Sequence, residues 1–553
     1  MYASIEAFEK FSKAGLKVIN GCEVYICDTV EAANRNYHLI LLAKNEQGRQ
    51  NLQWLVSQAS IHKYNKPRID FRMLSEHHDG IICLSACMAG EVAVALREGN
   101  KVKAKDIALR YKNLFGNDYY LEYQAHLVPE QQRLNVQICN LADELGIEIA
   151  VTADAHYLLK EDKKYHSMFI KLSTSREAGK TYDDCYIQSV EEIVANSKLT
   201  AKWNERAMAN TVKIAAMCEN TIPLSAPIIP HVQIPKEYSN EEEYLRALCD
   251  KGFVDKGFAS WTTEQWQNYM RVMVIDDLGE VHESYSVEVE SAEQMRQMYM
   301  ERYEYEMNAL TKMGFVGYYI MVFDYVCSAK RHGIARGSGG GSLLAYLCGI
   351  VDIDSIKNGL YFERFIDVGA IELLEKGQIT AKELKIPDFD VDFPPKDRED
   401  VLNYIINRYG SERVVSLGQF QFPKAKGTFK NIARCFDIPY EEVNEASKFI
   451  GTEDTVETLQ DNTKLKSFFF KYPELLDYIE HLVGLPNSFG VHPCGKVVCI
   501  KEATYYHALE YNDGGGWVMQ CDGHCAEDLG LVKIDLLGLR TLSTIYDTLE
   551  MIG

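Results

Sequence analysis

The segment KIPDFDVDFPP, residues 385–395, constrains the fold of this chain more than any bulk property does. Asp388, Asp390 and Asp392 alternate with Phe389, Val391 and Phe393, and prolines close both ends. Successive side chains of a strand point to opposite faces, so the spacing predicts a short strand with its carboxylates on one face and its apolar residues on the other. Three like charges on one face repel one another unless a cation sits among them. Two readings follow: a solvated edge strand whose acids face water, or a strand built to hold divalent ions. Carboxylates at i and i+2 can hold two Mg²⁺ about 3.5–4 Å apart, the arrangement used for in-line phosphoryl transfer. Such a site takes a third carboxylate from elsewhere. Asp535, in GLVKIDLLGL, is the candidate, because an aspartate amid Val, Ile and Leu is costly to bury unpaired. A helix N-cap is the alternative role for it.

At 553 residues the chain exceeds one core, and two to four domains are expected. No run of about 18 uncharged apolar residues predicts a membrane span. The opening MYASIEAFEKFSK carries acids and lacks an apolar signal region. The 15 cysteines are odd in number, scattered and without a CxxC pair, which suits reduced thiols and a cytoplasmic location. A net charge of −21 argues against coating nucleic acid through a global basic field, but the charge is segregated. Residues 276–306 are rich in acids, whereas no acid occurs between Asp324 and Asp352 or between Glu412 and Asp437.

The first 200 residues alternate apolar runs with helical stretches at 97–115 and 130–145, the pattern of an α/β layer or barrel. A proline-containing stretch, 221–239, reads as a linker. Residues 240–313 read as helical with an interruption near 274–290, 366–386 as a charged loop or insertion, 400–485 as mostly helical, 487–535 as β-like, and 539–552 as a final helix. The glycine-rich RGSGGGS (336–342) ahead of a helix offers backbone N–H groups and a helix dipole suited to phosphate, or is simply a flexible loop. It is not a Walker loop, since no Gly-Lys-Ser/Thr follows. Lys426, Lys430 and Arg434 are spaced to share one helical face, either a plain polar face or a phosphate-tracking one. CDGHCAED (521–528) is too crowded for a usual zinc pattern and reads as a structural loop.

ARGSGGGSLLAYLCGIVDIDSI, YFERFI, PDFDVDF and GLVKIDLLGLRTL, in this order, resemble the catalytic alpha subunits of bacterial DNA polymerase III, the C-family replicative polymerases. The resemblance runs through essentially the whole chain. It implies an α/β and α+β multidomain protein with a distorted β/α barrel of the PHP type over 1–235. A nucleotidyltransferase palm would follow over 236–421 with an acidic insertion at about 256–306, then a helical thumb over 422–492 and the rest of the palm over 493–553. By motif match Asp390, Asp392 and Asp535 are the catalytic, Mg²⁺-binding aspartates, and Asp388 is not a primary ligand. Gly337, Ser338, Arg364 and Lys533 match triphosphate contacts, and Lys426, Lys430, Arg434 and His492 match DNA contacts. The implied activity is template-directed transfer of deoxynucleotides to a primer 3′-OH in replication, with primer–template DNA and deoxynucleoside triphosphates as partners.

In the N-terminal third, Glu23, His38, Cys87, Asp154 and His156 match the metal cluster of the PHP domain, and mixed imidazole, carboxylate and thiolate ligands suit Zn²⁺, Mn²⁺ or Fe. The sequence opens downstream of the family's His-x-His segment and closes before its fingers and C-terminal modules. The expectation is therefore a half-built metal cluster and a fragment or split-gene half that works with a complementing chain. Two alternatives stand beside the polymerase: a PHP-type phosphoesterase or 3′–5′ exonuclease centred on Asp154 and His156, and a non-catalytic DNA-binding fragment.

Overall fold

The computed structural model describes every residue except 175–182, 220–221, 276–280, 513, 515 and 553. The chain divides into two compact units: 1–222 with 418–490 and 508–511, and 223–417 with 491–507 and 512–553. No helix among the described residues is long and apolar enough to cross a membrane.

The first unit is built on a six-stranded mixed sheet. Its strands are β1 (Gly21–Cys27), β2 (Tyr37–Ala43), β3 (Arg68–Asp70), β4 (Ile81–Leu84), β5 (Tyr119–Gln124) and β6 (Glu148–Thr152), in the order β3-β1-β2-β4-β5-β6. The β1–β2 and β2–β4 pairs are antiparallel, and β4–β5–β6 run parallel. Strands β4 and β5 are buried along their whole length, as a sheet covered by helices on its faces requires. The expected helical stretches form as Lys101–Phe115 and Pro129–Leu145. A second core in this unit is all-helical. Phe429, Ile432, Leu459, Phe468, Leu475 and Ile479 pack together, and Tyr165, Met168, Phe169 and Leu172 of the helix Lys163–Thr174 close over them. Asp477 ties that helix down, accepting hydrogen bonds from Lys164 Nζ and Tyr165 Oη, both at 2.6 Å.

In the second unit the expected break near 274–290 is a hairpin of β7 (Arg271–Ile275) and β8 (Val281–Tyr285); residues 276–280 of the acidic stretch lie outside the described residues. The remaining strands are β9 (Asp390–Phe393), β10 (Val414–Gln421), β11 (Ser488–Val498), β12 (Leu509–Asn512), β13 (Gly516–Met519) and β14 (Val532–Gly538). Within the second unit the order is β13-β10-β11-β14-β9. Strand β10 interrupts a region that helical periodicity alone assigned to helix; its run VVSLGQFQ is β-branched at its start and alternates only at its end. The insertion expected at 366–386 is partly helical, Gly369–Glu375. CDGHCAED folds as a short helix, Gly523–Asp528, whose N-cap Asp522 accepts from Cys525 N at 3.0 Å.

Strand β9 shows the predicted alternation. Phe389, Val391 and Phe393 are buried in the core, while Asp390 and Asp392 are only partly covered and Asp388 is exposed. Phe389 is wedged among Tyr318, Tyr319 and Phe365, at ring centroid distances of 5.9, 5.1 and 4.6 Å. Strand β14 lies parallel to β9, with Asp535 opposite Asp390 and Leu537 opposite Asp392.

Candidate active site

The site grows from that register. Opposed residues of a strand pair share a face, so the β9 row Asp388–Asp390–Asp392 runs beside the β14 row Lys533–Asp535–Leu537. One carboxylate oxygen each from Asp388, Asp390 and Asp535 lies within 4.8 Å of the other two. Asp392 is not in that group. Its strand neighbour is the apolar Leu537, and it receives Arg336 Nη1 on Oδ1 at 3.3 Å. Asp388, which the motif match set aside, occupies the group's outer corner. Asp535 lies inside β14, so it does not cap a helix.

Lys533 is the internal counter-cation, 2.7 Å from Asp535 Oδ2 and 3.3 Å from Asp388 Oδ2. Burial pulls its pKa down, but the hydrogen bond to Asp535 and the two carboxylate charges outweigh this and push it up to about 12. Asp388 is raised, chiefly by burial, with Lys533 opposing and Asp535 and Asp390 adding to the rise. The other oxygen of Asp535, Oδ1, is buried and has no hydrogen-bond partner among the described residues. A buried carboxylate oxygen without a donor is costly, and an all-oxygen group of this charge suits a hard divalent cation. The residues therefore fit Mg²⁺, with Asp535, Asp390 and Asp388 as the oxygens nearest one another.

Two glycines keep this face clear. Gly337 has φ of +63°, and a Cβ there would stand 3.1 Å from Asp390 Oδ2. Gly495 lies opposite Asp535 in β11, where a Cβ would meet His492 Nδ1 at 2.8 Å and Asp535 Oδ1 at 3.4 Å. His492 Nδ1 accepts from Gly495 N at 2.7 Å, which holds the ring beside the site. Arg398, absent from the sequence reading, donates to the carbonyls of Leu536 (2.7 Å) and Pro493 (2.6 Å). It thereby locks β14 and β11 together from the helix Pro395–Tyr409.

The glycine-rich loop departs from the phosphate expectation in one respect. The helix after it, Leu343–Cys348, does not present free N–H groups. The fully buried Glu306 accepts from Leu343 N (2.9 Å), Leu344 N (3.1 Å) and Ser342 Oγ (2.8 Å), and Ser342 Oγ accepts from Ala345 N at 3.1 Å. Arg302 balances the charge, donating to Glu306 at 2.6 Å and to Gly341 O at 2.9 Å. Burial raises the Glu306 carboxyl, with Arg302 and the two backbone donors opposing. Only the exposed start of the loop, Arg336, Gly337 and Ser338, is left to meet a ligand. Arg364 is exposed at the end of a single 3₁₀ turn, Phe362–Arg364.

In the first unit Lys426, Lys430 and Arg434 do share the helix Ala425–Cys435. Lys426 Nζ is engaged by Ile450 O at 2.8 Å. Lys430 and Arg434 are exposed and line a cavity of about 450 Å³ with Asn431, Asn444 and the exposed Tyr440. The same unit holds a cavity of about 240 Å³ lined by Glu23, His38, Cys87, His126, Asp154 and His156, which brings all five expected cluster residues together. His38 Nδ1 is 2.8 Å from Glu23 Oε1 and 3.5 Å from Cys87 Sγ, and these contacts raise its pKa to about 10. His156 Nε2 is 3.4 Å from Asp154 Oδ1. Behind the cavity, burial pushes Glu122 up to about 7, against the hydrogen bond from Thr152 and with help from the Asp154 charge.

Residues 268–538 match the model of the bacterial DNA polymerase III alpha NTPase domain, and residues 1–126 match the PHP domain. Two domain classes thus define the chain: a PHP domain and a polymerase alpha domain. The whole chain aligns at 32% identity with 45% of the DNA polymerase III subunit alpha of Treponema pallidum and at 32% with 46% of that of Borreliella burgdorferi. It aligns at 29% with 48% of the same subunit of Thermus aquaticus. The chain is a homologue of the bacterial DNA polymerase III alpha subunits and spans about half the length of the curated relatives it matches.

Two predictions follow from these contacts. Gly337→Ala places a methyl against Asp390 and an L-residue in the left-handed region, a backbone cost of about 1–2 kcal/mol. Isothermal titration should show Mg²⁺ affinity at this face reduced about tenfold or more, the equivalent of 1.4 kcal/mol, while Gly427→Ala, at a glycine with open space around it, leaves it unchanged. Glu122 titrates near 7 folded against 4.5 unfolded, so it stabilises the fold below pH 4.5 and that stabilisation is lost as pH rises to about 7. Urea unfolding of the first unit should weaken across this window by about 1.4 kcal/mol per pH unit, a slope that Glu122→Gln removes.

Proposed function

We propose that this chain is the catalytic part of a DNA-directed DNA polymerase, extending a primer 3′-OH with deoxynucleotides on a template during replication. The single observation that carries the reading is the Asp390–Asp535 pairing across β9 and β14, with a buried Asp535 oxygen left without a donor. On this reading residues 1–235 are the PHP domain, a β/α barrel of distorted type, and 422–492 the thumb. Residues 236–421 and 493–553 are the two parts of a nucleotidyltransferase palm.

Asp390 and Asp535 would hold Mg²⁺, with Asp388 and Asp392 flanking them on one face. Bound there, two Mg²⁺ supply Lewis-acid activation of the 3′-oxygen and neutralise the leaving pyrophosphate. The chain's own residues do the rest. Lys533, beside Asp535 and Asp388 on this face, would offer its ammonium to the triphosphate. Arg336, Gly337 and Ser338 present a second cation, backbone and hydroxyl beside Asp390 and Asp392, and Arg364 adds charge for the same ligand. His492 keeps its ring beside Asp535 for the primer, and Lys426, Lys430 and Arg434 track the DNA backbone.

A second reading has its own support in the cavity of the first unit, where Glu23, His38 and Cys87 form one metal-competent group beside Asp154 and His156. It is a metal-dependent phosphoesterase or 3′–5′ exonuclease. One pair of substitutions separates the two. Asp390→Asn should lower primer extension by at least about 10³-fold, since each electrostatic group aimed at a phosphoryl transition state contributes several kcal/mol. Extension at the parental rate would defeat the polymerase assignment, whereas nuclease activity lost in His156→Ala and kept in Asp390→Asn would establish the second reading.

A further inference from the structure

We propose that the cavity of about 450 Å³ lined by the helices Ala425–Cys435 and Tyr440–Ser447 of the first unit binds one unpaired nucleotide. Tyr440 stacks on the base, Asp437 and the Asn431 and Asn444 amides meet its polar edge, and Lys430 and Arg434 hold the phosphate. The proposal rests on the reading of Lys430 and Arg434 as nucleic-acid contacts and goes beyond it. A surface that only tracks a phosphate backbone needs neither an aromatic ring nor a carboxylate. The two cations stand four residues apart on the first helix and so share one face, with Asn431 the next residue round. The turn after that helix brings Asp437 to the same cavity, Tyr440 opens the second helix, and Asn444 follows one turn further on. Buried Ile438 and Val443 line it from the core side.

The charges here are uncommitted. Among the described residues no hydrogen bond or ion pair engages the side chain of Lys430, Arg434 or Asp437. Nearby lysines are taken: Lys424 by Glu453 and Lys448 by Glu445, both at 2.6 Å, and Lys471 by Glu442 at 2.8 Å. Asp437 has φ of +55°, in the left-handed region that glycine usually fills after a helix and that non-glycine residues occupy at ligand clamps. Its backbone is fixed there, with Asp437 N donating to Arg434 O at 3.1 Å and Ile438 N to Ala433 O at 3.2 Å. Tyr440 is 80% exposed, so its ring offers a stacking face at the cavity mouth. A bare phosphate would be repelled by Asp437 and would leave that ring unused, whereas the volume lies in the range of small-molecule sites, about 300–1,000 Å³. An ionised carboxylate only accepts, so the base must donate. Adenine, cytosine and guanine do so through an exocyclic amino group that thymine lacks, which makes thymine the disfavoured base. A free mononucleotide and an unpaired nucleotide within a DNA strand share this chemistry.

2-Aminopurine tests the site, because it carries an amino group and its fluorescence falls when it stacks on an aromatic ring. The probes are its deoxynucleoside 5′-monophosphate and a short single-stranded oligothymidylate carrying one such base. Each is titrated with the full chain in EDTA, which keeps divalent ions off the aspartate face. Saturable quenching is expected, with affinity about tenfold or more lower in Tyr440→Ala. Arg434→Ala should weaken binding and flatten its salt dependence. Asp437→Asn, which keeps a residue tolerant of the left-handed region, should erase the preference for the 2-aminopurine strand over plain oligothymidylate. All three side chains are exposed, so the variants keep the fold. Tighter binding of the strand than of the monophosphate assigns the pocket to unpaired DNA, and equal affinity assigns it to a free nucleotide. Absence of quenching with both probes, or affinity unchanged in Tyr440→Ala, overturns the proposal. If duplex binding still weakens in Lys430→Ala and Arg434→Ala when quenching is absent, the pocket is refuted and the DNA-facing role of the helix stands.

Discussion

The parallel pairing of β9 with β14 is the constraint on which the candidate active site rests. It places Asp390 beside Asp535 at the centre of a strand pair, where two carboxylates in partial shelter from water repel each other. Burial of Phe389, Val391 and Phe393 on the opposite face, together with Leu536 and Ile534 of β14, favours that register, because a slip of one residue would turn the whole apolar row out and the acids in. Hydrophobic burial thus pins the acids together, and the electrostatic cost is contained by Lys533 and Arg336 approaching from the solvent side.

The counter-cations share the work unequally. Lys533 bridges Asp388 and Asp535, while Arg336 meets Asp392, so no protein cation reaches Asp535 Oδ1. A lysine is a compact point charge on a flexible stem, which suits a partner that must yield its place. Arg302, by contrast, is bound to Glu306 and to the Gly341 carbonyl at once and has a fixed structural post. From Ser342 onward the chain is fastened to a buried carboxylate, which leaves the exposed Arg336, Gly337 and Ser338 as the part of the loop that faces solvent.

How much of this was legible in the sequence depends on how local the cause is. The strand of alternating aspartates was readable because period-2 patterning is a property of seven adjacent residues. Asp535 stood out as an acid in an apolar run, but its pairing with Asp390 depends on a contact across 145 positions. The group's membership also turned on a single neighbour: Leu537 opposite Asp392 and Lys533 near Asp388 shift the cluster toward Asp388, and no motif carries that register. The helix after the glycine loop looked open to phosphate because its filler, Glu306, lies 37 residues upstream within a run of acids that reads as solvated. Strand β10 was hidden because its apolar run lacks strict alternation. His126 went unnoticed because it carries no local pattern; its signal is that it lines the same cavity as the expected cluster.

Charge and ligand softness explain why one chain would hold two kinds of cation. The aspartate face offers oxygen alone, with a lysine as placeholder, which favours a hard ion that exchanges readily and keeps water in its shell. The cavity of the first unit offers nitrogen, oxygen and sulfur, a donor set that suits a borderline-soft ion. Mg²⁺ gains little from a thiolate such as Cys87 or an imidazole such as His38, whereas an all-carboxylate face suits it. Selectivity is therefore already written in the donor atoms, before any question of geometry arises.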